Sequence, residues 1–212
     1  MKHIRIFCLF AVLTFAISAL GQAQGSKPAA PQGATPAPQA QQSQQPAPTI
    51  ASVVDREVSS YEKLMVEAAE AMPEDKFNFT PASLNIPGGS FKDVRTFGQL
   101  IKHTATANFR FWSLVSGEKM PDNIKGPNGP DELTTKAQIV QFLKDSFAMG
   151  HRAAKSVTTE NALEQVQFRN TGVAKLYLAT NAVIHCGDEY GQMVEYLRMN
   201  GIVASQQDEP VD

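Results

Sequence analysis

The most constraining feature of the chain is one long helical segment near its C-terminal end, opening near Asn170 or Thr171 and ending at Gly201. About 30 residues at 1.5 Å each make a rod of roughly 45 Å. A rod of that length is stable only if an apolar stripe along it is buried against partners of similar length. The expected stripe is Leu178, Ala182, His185, Glu189, Gln192 and Tyr196, stepping by four, three, four, three and four. An imidazole and a carboxylate interrupt it. Residues four apart on a helix share a face, so His185 and Glu189 point the same way. A buried ionisable pair is costly unless a hydrogen-bond network or a metal ion satisfies it.

Three further segments carry helical periodicity. The first follows Thr49, a suitable N-cap, and sets Val54, Tyr61, Leu64, Met65, Ala68 and Met72 on one side before Pro73 stops it. The second opens at Thr96 with Gln99 three residues on, a capping-box spacing, and runs through Leu100, His103, Ala107, Phe111 and Leu114 to Gly117. The third begins with Thr135 and Gln138, the same spacing, and continues through Val140, Leu143, Phe147, Ala154 and Val157. No long alternating strand pattern competes. The connection from Pro73 to Lys92 holds Pro81, Pro87, Gly88 and Gly89, and that from Pro121 to Pro130 holds Gly126, Pro127 and Gly129. Two long connections and a shorter third predict an all-α four-helix bundle, in which sites are built from side chains on facing helices. Gly187 and Gly191 inside the fourth helix each cost about 1 kcal/mol against Ala, which close helix approach would justify.

Outside the bundle, residues 1–23 read as a signal peptide: Lys2 and Arg5, an apolar run from Ile6 to Leu20, then small residues at Ala19, Gly21 and Ala23. That run is shorter than the roughly 20 residues a membrane span needs, so the expectation is an exported protein, periplasmic or secreted, with no membrane segment after cleavage. Residues 24–48 are almost entirely Ala, Gln, Pro, Gly and Ser with Lys27 the one charge, too poor in apolar surface to fold, and 206–212 form a tail. The folded domain is expected over 49–205. Cys8 leaves with the signal, and Cys186 alone cannot form an internal disulfide. Loss of Lys2 and Arg5 leaves 17 basic against 21 acidic residues and no basic block, which argues against a nucleic-acid partner. A homodimer is compatible with the chain, but no residue demands one.

His103 shares a stripe with Leu100, Ala107 and Phe111 and therefore faces inward, as do His185 and Glu189. If the second and fourth helices are antiparallel neighbours, two imidazoles and one carboxylate meet in the interior. Nitrogen and carboxylate donors of this kind suit zinc, nickel or iron, and three ligands leave coordination positions open for water or a thiolate. Asp188 and Asn181 lie near enough along the helix to support the ligands. The alternative is ordinary packing, with an inward histidine hydrogen-bonded in the core and a His–Glu pair four residues apart on a helix surface. His151, between Phe147 and Ala154, reads as a helix-rim residue, and His3 belongs to the signal. Cys186, Trp112, Phe109 and Phe111 read as packing residues, Gly88 and Gly89 as a turn, and Arg198 as a complement to the helix dipole.

The segments Tyr61 to Asp75 (YEKLMVEAAEAMPED), Thr96 to Trp112 (TFGQLIKHTATANFRFW) and His185 to Gly201 (HCGDEYGQMVEYLRMNG) resemble the DinB-like family, the DinB/YfiT superfamily of four-helix bundles, over about residues 50–202. Gly191, Gln192, Tyr196, Leu197, Arg198 and Gly201 match the tail of its final-helix motif. The resemblance implies a metal site with one His on the second helix and two His four apart on the last; His103 and His185 fall on two of these positions. Glu189 stands at the third, beside Asp188 where a further His is common. A carboxylate there adds negative charge and favours harder metals. The resemblance further implies a thiol-dependent S-transferase or a metal-dependent hydrolase acting on a small-molecule substrate. Export sits awkwardly with cytosolic thiol cofactors and favours water as the activated group. A second reading is a non-catalytic exported binding or scaffold bundle that has lost the metal chemistry.

Overall fold

The protein is described by a computed structural model over residues 46–204; the expected signal, nearly all of the linker and the tail lie outside the described residues. Four helices carry the fold: α1 (Ile50–Ala71), α2 (Phe97–Ser116), α3 (Lys136–Lys155) and α4 (Lys175–Met199). The first three start where a threonine can cap them. Thr49, Thr96 and Thr135 each accept from the backbone N–H three residues on, while Ser52, Gln99 and Gln138 reach back to the cap N–H. Gly117 ends α2 at φ 78°, and its N–H donates to Ser113 O at 2.8 Å.

The fourth helix departs from expectation. It is 25 residues long and begins at Lys175, because 165–174 form an antiparallel hairpin, β1 (Gln165–Phe168) and β2 (Thr171–Ala174). Arg169 turns it in the left-handed region, φ 55°. Val166, Phe168 and Val173 pack one face of this hairpin onto the bundle, and the Phe168 ring lies 5.5 Å from that of Phe111. The third connection, 156–174, is therefore as long as the second, 117–135. Within α4 the stripe also drifts. Gln192 is exposed, while Met193 and Leu197 are fully buried. A 3.5-residue spacing slips by about 20° per heptad on a straight helix of 3.6 residues per turn.

Residue pairings give the helix directions. Tyr196 Oη donates to Arg95 O at 2.9 Å and Cys186 Sγ to Asn108 Oδ1 at 3.3 Å, so α4 runs antiparallel to α2. Lys136 Nζ donates to Met72 O at 2.7 Å and His151 meets Asp55 and Glu62, so α3 runs antiparallel to α1. Asn108 Nδ2 donates to Ser146 Oγ at 3.2 Å, while Gly98 abuts Ile139 and Gly150 abuts Trp112, so α2 and α3 are parallel. Each of α1 and α2 packs against both α3 and α4, placing α1 diagonally from α2. The order is up, down, down, up. Parallel neighbours cannot be joined by a tight turn, so 117–135 must cross back along the bundle. It does so beside α2.

Helix packing explains one interior glycine but not the other. A Cβ on Gly187 would sit 2.8 Å from Tyr61 Oη of α1, whereas one on Gly191 would meet nothing within 4 Å. Close approach accounts for Gly187 alone.

Candidate metal centre

His103 stands two turns into α2, and the crossing segment fixes its ring. Its Nδ1 lies 2.8 Å from Pro127 O. A carbonyl only accepts, so Nδ1 carries the proton and Nε2 presents its lone pair to the interior. From α4, His185 directs Nε2 toward the same point. The two nitrogens lie 3.6 Å and 3.5 Å from Glu189 Oε1, and the imidazole centroids are 5.3 Å apart. One ligand atom from each residue lies within 4.8 Å of the other two.

These spacings are informative. They exceed a normal hydrogen bond. Two donor atoms about 2.1 Å from one ion at a tetrahedral angle stand about 3.4 Å apart. Glu189 is 4 % exposed, and its Oε2 has no hydrogen-bond partner. A buried carboxylate left in this state costs several kcal/mol unless it is protonated or balanced by a cation. The donor set thus fits a divalent ion. His103, His185 and Glu189 form a cluster that could hold a metal.

The electrostatics agree. Burial pushes the Glu189 carboxyl up to about 7, opposed by the charge of Arg95 and aided by that of Asp188. Burial also pulls His103 below the ordinary imidazole range, as do Arg95 and Arg110, against the Pro127 carbonyl. His185 falls through burial, the neighbouring His103 and Arg95, against Asp188. Low imidazole basicity favours the neutral ring, which keeps one N–H and offers the lone pair of the other nitrogen, the form that ligates.

The expected supporting residues do not take that role. Neither Asn181 nor Asp188 hydrogen-bonds to the cluster; Asp188 is exposed and acts through its charge, while His185 Nδ1 has no partner. The support comes instead from Pro127. Two charged residues that act on the cluster, Arg95 and Arg110, do not stand out in the apolar periodicity. Arg110 was findable, because it stands seven residues, or two turns, beyond His103 on the same face. Pro127 left no local signal, since its contact spans 24 residues.

The remaining candidates have structural places. Cys186 is buried, its thiol is pushed up to about 12 by burial, and it donates to Asn108 within a chain that continues to Ser146. Trp112 and Phe109 lie in the core, and Phe111 sits 6.1 Å from the His185 ring. Gly89 N–H closes a turn onto Ile86 O with Gly88 at φ 77°. His151 bridges two helices: Nδ1 lies 2.7 Å from Asp55 Oδ1 and Nε2 2.8 Å from Glu62 Oε2.

Fold and site together define a helical bundle with a cluster that could hold a metal built across two facing helices. The chain belongs to the DinB superfamily, whose family profile matches residues 57–193. Its fold is similar to that of a DinB-like protein from Bacillus cereus ATCC 10987, with a TM-score of 0.56 at 17% identity, covering 74% of this chain and 97% of that one. It is similar also to a DinB-like protein from Bacillus subtilis, with a TM-score of 0.52 at 16% identity, covering 74% and 95%. No functionally curated protein matches the sequence. No helix among the described residues is long and apolar enough to cross a membrane.

Proposed function

We propose that this protein is an exported metal-dependent enzyme of the hydrolase type, with His103, His185 and Glu189 holding one divalent ion between α2 and α4 and a small molecule as substrate. The observation that carries the reading is the buried Glu189 carboxylate, whose Oε1 faces two imidazole nitrogens at 3.5 and 3.6 Å and whose Oε2 has no partner. Two imidazoles and one carboxylate suit zinc, nickel or iron. A bound ion of this kind supplies Lewis acidity, which makes water a nucleophile at neutral pH.

The chain's own residues do the rest. The Pro127 carbonyl holds His103 in the tautomer that leaves Nε2 free and stops its ring from turning away. Glu189, anchored on a rigid helix, lowers the net charge of the site by one and fixes the third ligand direction. Both imidazoles keep about a fifth of their side-chain surface exposed, so the site opens to solvent on that side while Glu189 closes it beneath. The segment 1–23 supports export, which favours water over a cytosolic thiol as the activated group; S-transfer to a thiol would use the same open position.

Elemental analysis of the purified protein beside His185→Ala tests the reading. One equivalent of zinc, nickel or iron in the former and little in the latter is expected. If neither protein holds metal, the reading fails and the non-catalytic bundle takes its place.

A further inference from the structure

Three consecutive residues of the crossing segment are each held by a basic side chain from the α2 region. Gly126 O accepts from Arg110 Nη2 at 3.0 Å, Pro127 O from His103 Nδ1 at 2.8 Å, and Asn128 Oδ1 from Arg95 Nε at 2.9 Å. The two arginines stand on either side of the His103 ligand along the chain. Arg95 just precedes α2, its backbone pinned by Tyr196 of α4, and Arg110 lies two turns past His103 on the same face.

Among the described residues, no carboxylate lies within ion-pair distance of either guanidinium. Each is held by one neutral acceptor. An Arg fork carries five N–H donors, so most of this capacity is unused. Both charges nevertheless act on the cluster: Arg95 on His103, His185 and Glu189, and Arg110 on His103. With a divalent ion in place, the two guanidinium groups, Glu189 and Asp188 leave the site with an excess of two positive charges. A site with that excess, half-buried at Arg95 and open to solvent at Arg110, favours an anion, and a planar fork is the side chain best matched to a carboxylate or phosphate.

We infer that Arg95 and Arg110 form an anion subsite flanking the metal centre, and that the substrate carries a carboxylate or phosphate group which this pair of guanidiniums attracts and orients there. The inference rests on the metal reading above. The chemistry recognised is a small oxyanion; succinate and inorganic phosphate serve as probes of its two sources.

The test uses cobalt(II)-loaded protein titrated with succinate, with phosphate and with neutral succinamide, read by the visible cobalt bands, after cobalt stoichiometry has been measured in each variant. At least one anion is expected to bind, succinamide is not, and Arg95→Gln and Arg110→Gln each weaken the anion tenfold or more while retaining one equivalent of cobalt. Arg95→Lys, which keeps the charge and loses the fork, is expected to recover part of the affinity. Preference between the anions then assigns the substrate as carboxylate or phosphate. Unchanged anion affinity in both glutamine variants, or equal binding of succinamide, overturns the subsite and leaves the metal reading standing. Absence of cobalt from the wild-type protein overturns both.

Discussion

At the residue scale, the cluster turns on what one carboxylate lacks. Glu189 is buried with one oxygen unpartnered, so its environment is incomplete without a cation or a proton. If the cluster holds zinc in the native state alone, adding the ion at about 100 times its dissociation constant is expected to stabilise the protein by about 2.7 kcal/mol. Glu189→Gln keeps the shape and removes the charge. Its melting temperature should therefore not respond to zinc, and a zinc-induced rise equal to wild type would remove Glu189 from the ligand set. The two α4 glycines make a second pair of outcomes. Gly191→Ala gains helix propensity in open space and should stabilise by up to about 1 kcal/mol. Gly187→Ala drives a methyl against the Tyr61 hydroxyl, an overpacking that costs about 1–3 kcal/mol. Urea denaturation should place it below Gly191→Ala by at least about 1 kcal/mol.

At the element scale, local signals set the helix starts and long-range pairs set the seams. Each threonine cap is complete within its own four residues, so Thr135→Ala should cost about 1 kcal/mol wherever α3 packs. The α1–α3 seam has a different chemistry. His151 meets a carboxylate at each nitrogen, and carboxylates only accept, so the ring carries both protons. Burial lowers its basicity, yet the hydrogen bonds and charges of Glu62 and Asp55 outweigh burial and raise it above the ordinary value of 6.5. A group whose folded pKa is raised contributes fully below its unfolded pKa, and the contribution disappears as pH rises through the folded pKa. Stability should therefore decline from pH 6.5 upward. The loss should be under about 1 kcal/mol, because the groups are about a third exposed or less and are screened by solvent. His151→Gln should flatten that slope in denaturation curves taken across the range. A slope identical to wild type would mean that the seam does not depend on the imidazolium.

At the scale of the whole molecule, the parallel arrangement of α2 and α3 forces 117–135 to travel the length of the bundle, and this path brings Pro127 to His103. Gly129 makes the passage close. It sits at φ 70°, and a Cβ there would lie 3.0 Å from the Phe142 ring and 3.2 Å from Thr106 Oγ1. Gly129→Ala is expected to destabilise by about 1–3 kcal/mol and, if the cluster holds a metal, to weaken its binding by about 10-fold or more, since displacing the segment withdraws the Pro127 carbonyl from His103. Calorimetric metal titration checks this, and unchanged affinity in a destabilised variant would separate the crossing segment from the site.

Helix starts, the Gly117 stop, the four-helix class and the inward faces of His103, His185 and Glu189 were legible in the residue order, because caps and a 3.6-residue period act over one or two turns. The hairpin at 165–174 was not, since four-residue strands become strands only by packing Val166 and Phe168 onto the bundle. Nor were the exposure of Gln192, the open surroundings of Gly191 or the pairing of His151 with α1. The residue order placed three donors on the inner sides of two helices. Which helices became neighbours, in which direction, and which loop carbonyl turned His103 toward Glu189 were decided by burial across the whole core, where contacts between residues far apart in the chain compete and local periodicity carries no information.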